Sequence, residues 1–130
     1  MRLRFLGISW IAIALAGTCY AHSPPAFTAD YYLKDPQQYL NKTSTLAVAF
    51  LTPRKEQRAD HLRAFDAYTY NLGQSGGHIS VVTTRSNAQS LITLCGARLQ
   101  FSGRRVKITK LQGTFLQEKG GNRGYYFFVP

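Results

Sequence analysis

The chain has 130 residues, of which 45% are hydrophobic, 17% charged and 13% aromatic; it is too apolar for a disordered protein and too short for two ordinary domains. Sixteen Lys and Arg residues against six Asp and Glu residues give a formal net charge of +10, which favours anionic partners. So few carboxylates disfavour the hydrolases that need two carboxyl groups at one bond.

The first residues predict a cleaved secretory signal peptide over residues 1–21. Arg2 and Arg4 precede an apolar run over residues 5–17, which is shorter than the about 20 residues of a membrane-spanning helix. The small residues Cys19 and Ala21 favour cleavage after Ala21. We therefore expect a periplasmic or secreted protein with no stable membrane span after cleavage. Lipid anchoring and an uncleaved signal anchor are the less favoured alternatives.

Cleavage would leave Cys95 as the only cysteine of the mature chain, because Cys19 departs with the leader. An internal disulfide is then impossible even in an oxidising compartment. Free cysteines are among the most buried residues, so a buried structural thiol is the favoured interpretation. An intermolecular disulfide or a reactive thiol is the alternative.

Residues 22–41 predict an N-terminal arm with short helical turns, followed by one domain over residues 42–130. Thr28 can cap a first turn, and Asp35 precedes Pro36 at the start of a second one. The apolar side chains of these turns predict a lid packed on one end of the domain; they are Tyr31, Tyr32, Leu33, Tyr39 and Leu40.

Alternating apolar residues predict three strands in the first part of the domain. In the first strand a large-residue face of Leu46, Val48 and Phe50 alternates with small residues. A polar and charged segment then leads to a second strand, in which Phe65, Ala67 and Thr69 alternate with Asp66, Tyr68 and Tyr70. Residues 73–77 are rich in glycine and predict a reversal. Residues 78–84 predict the third strand, with Ile79, Val81 and Thr83 on one side and His78, Ser80 and Val82 on the other.

After the third strand, the spacing of apolar residues changes from the period of a strand to that of a helix. Ser86 and Gln89 form a capping box that predicts a helix start, and Gly96 is placed to end the helix with a left-handed conformation. Its predicted apolar stripe is Leu91, Ile92, Leu94 and Cys95. Residues 105–118 predict a strand with a bulge near Thr109 and Lys110, residues 120–122 a turn, and residues 125–129 a final strand.

This order of three strands, one helix and two strands resembles the OB-fold, a five-stranded Greek-key barrel. The resemblance covers about residues 42–129 and rests on residues 64–68, 76–82, 87–95, 106–115 and 125–129. The predicted fold class is mainly β: a five-stranded OB-like barrel with one helix between strands three and four and short N-terminal helical turns. Many such barrels have a glycine in strand one, where this chain has Ala47 and Ala49. A small open β-roll or an SH3-like barrel is the alternative.

The resemblance implies a binding face on strands two and three, beside the loops that join strands one to two and four to five. Aromatic side chains there can stack on a ligand and cationic loops can neutralise it. Ser80 lies on the same face, and Arg58 and Lys119 lie in the two loops. The predicted site residues are Tyr68, Tyr70 and His78 for stacking or hydrogen bonding, and Arg54, Lys55 and Arg123 for charge.

We therefore expect an exported, non-enzymatic and monomeric protein that binds an anionic polymer, either single-stranded nucleic acid or an acidic glycan. An envelope adaptor that docks another protein through a sheet edge or the aromatic final strand is the alternative. We expect no cofactor and no metal, because His22, His61 and His78 do not follow a ligand-spacing motif. The sequence also has none of the common catalytic motifs.

Overall fold

The computed structural model of the protein describes residues 23–55, 58–119 and 124–130. The predicted signal peptide and the predicted turn at residues 120–122 lie outside the described residues. Two short helical segments come first, namely helix α1 (Ala29–Leu33) and a 3-10 helix (Pro36–Gln38). The remaining elements are β1 (Thr43–Pro53), β2 (Leu62–Asn71), β3 (Gln74–Thr84), α2 (Arg85–Cys95), β4 (Phe101–Ser102), β5 (Arg105–Val106), β6 (Thr109–Gln117) and β7 (Tyr125–Val129).

Five of the strands form a closed barrel in the order β1-β2-β3-β7-β6. Strands β3 and β7 are parallel, and the other neighbours are antiparallel. Helix α2 follows the third barrel strand, so the predicted mainly β, OB-like barrel is confirmed. Among the described residues, no helix is both long and apolar enough to cross a membrane.

The barrel interior and the N-terminal turns share one core. Tyr32 is buried, and its ring lies against Phe115 and Phe127 with centroids 5.7 and 5.0 Å away. Thr28 caps α1 by accepting a hydrogen bond from the Tyr31 amide. The predicted cap and lid are therefore confirmed, although Leu33 is exposed.

Cys95 is buried and has no disulfide partner among the described residues. Burial raises the pKa of its thiol to about 11, and a hydrogen bond with Thr109 opposes part of this shift. A thiol with this pKa is almost entirely protonated at neutral pH and is a poor nucleophile. The structure supports the interpretation of Cys95 as a structural residue.

A bulge in β1 corrects the predicted faces of that strand. Val48 pairs with Thr69 and Phe50 pairs with Tyr68, which leaves Ala49 as an extra residue. Because a bulge reverses the alternation, Leu51 joins the core and Phe50 lies on the outer surface. A bulge of this kind also bends the strand locally.

The reversal between β2 and β3 lies earlier than predicted. Asn71 pairs with Gln74, and the two turn residues Leu72 and Gly73 have φ values of 52° and 79°, as in a type I′ turn. Gly76 is inside β3 and buried, where an added Cβ would overlap the Thr28 side chain. The prediction of a turn over residues 73–77 is therefore right only at Gly73, since residues 74–77 belong to β3.

Helix α2 begins one residue before the predicted capping box. Its N-cap is Thr84, whose side chain makes no capping hydrogen bond, and Ser86 lies within the first turn. Gly96 ends the helix at φ 86° and ψ 158°, which confirms the end and the positive φ but not the left-handed helical ψ. Leu94, which we assigned to the apolar stripe, is exposed.

Residues 105–118 form two strands rather than one bulged strand. Strands β4 and β5 pair with each other in a separate two-stranded sheet. The Lys107 amide donates to the Gln100 carbonyl, and β6 starts only at Thr109. In this segment the large apolar residues shift from one set of alternate positions to the other. This shift marks the point at which the chain leaves the small hairpin and enters the barrel.

Candidate binding site on the outer barrel face

Three rings lie side by side on the outer face of β1, β2 and β3. Phe50, Tyr68 and His78 are cross-strand neighbours. The Phe50 and Tyr68 rings are stacked, with centroids 4.6 Å apart and planes 10° apart. The His78 ring lies on the other side of Tyr68, at 5.1 Å. We call these three residues the ring row.

A second row lies next to the ring row, two positions from Tyr68 on β2 and from His78 on β3; we call its residues, Asp66, Ser80 and Tyr126, the polar row. Asp66 pairs with Ser80 across β2 and β3, and Ser80 pairs with Tyr126 across β3 and β7. Arg54, just after β1, places its Nη1 atom 2.8 Å from Asp66 Oδ1. This ion pair holds a guanidinium group over the outer face.

Arg58, which comes between β1 and β2 in the sequence, lies against the far side of the same face. Its guanidinium group lies 4.8 Å from the centre of the Tyr126 ring and forms an ion pair with Glu118. Only 16% of the Arg58 side chain is exposed. A cation–π contact and an ion pair on one guanidinium group favour a fixed position for it.

A pocket of about 300 Å³ opens where the ring row and the polar row meet. Its polar lining comes from Arg54, Arg58, His78, Ser80 and Glu118. Ser80 Oγ is buried and has no hydrogen-bond partner among the described residues. Because that oxygen is buried, it could donate to an anionic group only after its side chain rotates, whereas the two guanidinium groups line the pocket directly. The arrangement is suited to one phosphate, sulfate or carboxylate group.

The structure brings together only part of the predicted site. Tyr68 and His78 are neighbours, and Arg54 lines the pocket beside His78. Lys55 is exposed next to Arg54. Tyr70 lies apart from this pocket: its hydroxyl donates to the Gly73 carbonyl, and its side chain lines a different groove. Arg123 lies outside the described residues.

Sequence reasoning missed four residues of the two rows and their ion pairs, namely Phe50, Asp66, Glu118 and Tyr126. Phe50 was assigned to the inner face because the alternation of β1 gives no sign of the bulge at Ala49. The parallel pairing of Ser80 with Tyr126 depends on how the barrel closes. The sequence of β7 is aromatic or apolar throughout, so it gives no sign of which of its residues face outwards.

Among the described residues, no three His, Cys, Asp or Glu side chains are grouped as metal ligands would be. No protein-family model, curated protein or solved structure matches this chain. The site is therefore defined by the geometry of its own residues: a ring row, two ion-paired guanidinium groups and an unpartnered serine hydroxyl.

Proposed function

We propose that this protein is an exported, non-enzymatic member of the OB-fold superfamily and that its outer face binds an anionic polymer. The observation that carries the proposal is the pocket in which Arg54, Arg58 and the unpartnered Ser80 Oγ meet beside the ring row. The leader at residues 1–21 supports export. The strand order and the position of α2 support the superfamily.

An anionic ligand can use the positive charge of the pocket only by sharing it with the carboxylates that are already paired with the two arginines. Arg54 is paired with Asp66 and Arg58 with Glu118, so an anionic group must share each guanidinium group with a carboxylate. Guanidinium groups have several donors and can serve two acceptors at once. Ser80 Oγ, which has no hydrogen-bond partner among the described residues, would add a donor once its side chain rotates towards the pocket. We therefore expect one anionic group of the polymer to bind here with moderate affinity that depends on salt.

Within the ring row, neither face of Tyr68 is open to a ligand. Phe50 covers one face of Tyr68 and His78 lies against the other. The outer face of His78 remains available, since His78 is exposed. Stacking on the polymer is therefore assigned to His78, and Tyr68 is assigned the role of positioning the imidazole ring.

Two features support binding rather than catalysis or protein docking. Ser80 Oγ has no hydrogen-bond partner in the described part of the chain, so His78 does not hold it as an activated nucleophile. Strand β7 is hydrogen-bonded to β3 on one side and β6 on the other, so it offers no free edge for an adaptor.

The proposal is tested by equilibrium titration of the exported protein with a labelled single-stranded oligonucleotide and with an acidic polysaccharide, at about 50 mM and about 200 mM salt. We expect affinity for at least one polymer to fall steeply with salt. His78→Ala should weaken binding by about 1 to 3 kcal/mol with little change in the salt dependence, because it removes a stacking surface.

The charge variant Arg54→Gln/Lys55→Gln should reduce the salt slope by up to about two. Lys34→Gln/Lys42→Gln is the matched control, because it removes the same charge from residues that do not line the pocket. Equal effects of the two double variants, or no binding of either polymer at low salt, would contradict the proposal.

A further inference from the structure

A second surface lies at the tips of two hairpins, away from the pocket described above. A groove of about 540 Å³ separates the β2–β3 hairpin from the β4–β5 hairpin. We call it the hairpin groove. Its principal lining residues are Tyr70 and Leu72 on one side and Phe101, Arg104, Arg105 and Val106 on the other.

Two large apolar side chains of this groove are open to solvent. Leu72 is 79% exposed and Phe101 is 64% exposed, more than any other large apolar residue of the described chain. Neither side chain packs in the core, so neither one stabilises the fold through burial. An apolar surface of this kind marks a site of interaction.

The backbone at Leu72 strengthens this conclusion. Leu72 has a φ of 52°, in a turn position where asparagine, aspartate or glycine is preferred. A leucine there is strained and gains nothing from packing. Strain at an exposed residue points to a role outside folding.

The charges around the groove are all of one sign. Arg104 and Arg105 are exposed, and neither is in an ion pair with a described carboxylate. The sequence contains no Asp or Glu between Asp66 and Glu118, a segment that includes both hairpin tips. The cationic side chains here are not balanced locally, in contrast to Arg54 and Arg58.

We propose that the hairpin groove docks the protein on a bilayer surface that contains anionic phospholipids. Leu72 and Phe101 enter the interfacial layer, and Arg104 and Arg105 contact the lipid phosphate groups. A water-soluble polyanion would use the arginines but would leave both apolar tips in water. A bilayer surface satisfies the apolar and the cationic side chains together.

The experiment is flotation of the exported protein with vesicles of phosphatidylcholine alone and with vesicles of equimolar phosphatidylglycerol and phosphatidylcholine. The N-terminus of the purified protein is sequenced first, because a retained leader would bind vesicles by itself. We expect binding to the anionic vesicles only. Leu72→Ser and Phe101→Ser should each weaken it by about tenfold or more.

Arg104→Gln/Arg105→Gln should weaken binding to the anionic vesicles by about thirty-fold. The matched controls are Leu33→Ser, which changes an exposed leucine of α1, and Lys34→Gln/Lys42→Gln, which removes the same charge outside the groove. Both controls should bind like the unchanged protein, and circular dichroism should show that every variant is folded.

Absence of binding to anionic vesicles at low salt overturns the proposal, and a protein partner then becomes the occupant of the groove. Equal losses in the groove and control variants also overturn it, because they would reflect net charge alone. The polymer titration is independent of this result: His78→Ala should leave flotation unchanged, so either proposal can fail without the other.

Discussion

The N-terminal segment contacts the barrel closely at Gly76, where a larger residue would not fit. An added Cβ would overlap the side chain of Thr28, which is itself buried and caps α1. The Ala29 amide donates to Thr69 Oγ1, which in turn donates to the Gly77 carbonyl. The close approach of Thr28 and Gly76 is therefore part of a connected contact between the two segments.

We predict that Gly76→Ala lowers the free energy of unfolding by about 3 kcal/mol through overpacking. The matched control is Gly73→Ala, which has open space around the added methyl group but a φ of 79°. It should cost about 1 kcal/mol from backbone strain alone. Urea unfolding measures both values. Equal losses in the two variants would show that the contact with Thr28 is not tight.

Two buried groups predict a loss of stability in alkaline solution. Burial raises the pKa of the Cys95 thiol from 9.0 to about 11. Burial, together with the nearby Tyr31, raises the pKa of the Tyr32 phenol from 10.0 to about 12. The unfolded chain therefore loses both protons at lower pH than the folded protein does. Stability is full below about pH 9 and falls as the pH rises to about 12.

Urea unfolding at a series of pH values tests this prediction. The Cys95→Ala variant should lose the earlier part of the decline, between about pH 9 and about pH 11, and keep the later part. A free energy of unfolding that stays constant up to about pH 11 would mean that neither group is held in its protonated form by the fold.

At the scale of elements, helix α2 shows how a plausible cap differs from the cap that is used. Thr84 has the extended backbone of an N-cap but makes no capping hydrogen bond with its side chain, and its Oγ1 lies 3.3 Å from Ser86 Oγ. If Ser86 were the N-cap of a capping box, its hydroxyl would stabilise the start of the helix. Because the observed N-cap is Thr84, the Ser86 hydroxyl is not needed for capping.

We predict that Ser86→Ala changes the free energy of unfolding by less than about 0.5 kcal/mol. Thr84→Asp should raise it by about 1 kcal/mol, because a carboxylate both caps the first turn and interacts favourably with the helix dipole. Urea unfolding distinguishes these values. A loss of about 1 kcal/mol or more in Ser86→Ala would restore the capping box.

Elements with regular alternation could be predicted from the sequence. The faces of β2 and the outer side of β3 follow their patterns, and Tyr68 and His78 were therefore placed on one surface. The bulge at Ala49 could not be predicted, because the sequence of β1 gives a plausible apolar face whether its even-numbered or its odd-numbered residues point to the core. The β4–β5 hairpin was hidden for a related reason: its two-residue strands are too short to show any period.

At the scale of the whole molecule, the N-terminal segment is part of the barrel rather than an appendage to it. Tyr32 lies in the core against Phe115 and Phe127. The Ala47 amide donates to the Phe27 carbonyl, and the Asn71 side chain donates to the Ala26 carbonyl. These contacts close the end of the barrel where β1 and β2 separate.

We predict that a chain shortened to residues 42–130 does not unfold cooperatively, because it exposes the core surface that Tyr32 covers; the lost side chain alone is worth about 3 to 5 kcal/mol. A chain of residues 22–130 is the control and should unfold in one cooperative transition. Thermal unfolding followed by circular dichroism compares the two. Cooperative unfolding of the shorter chain would show that the barrel is independent of its lid.

The distribution of charge over the molecule explains why two surfaces are proposed. Arg54 and Arg58 are each balanced by a carboxylate on the outer face, whereas Arg104 and Arg105 of the hairpin groove are in no ion pair with a described carboxylate. The first surface combines fixed donors with a hydroxyl group, which suits a specific anionic group. The second combines cations with exposed apolar tips, which suits a lipid surface.

The most direct test of the central claim is an NMR titration of the ¹⁵N-labelled protein with a single-stranded oligonucleotide and with an acidic polysaccharide. If the outer face binds an anionic polymer, the backbone amides of Phe50, Arg54, His78 and Ser80 should shift together and saturate at one affinity, while those of Leu72 and Phe101 should change little. Shifts confined to the hairpin groove, or none with either polymer at low salt, would contradict the claim.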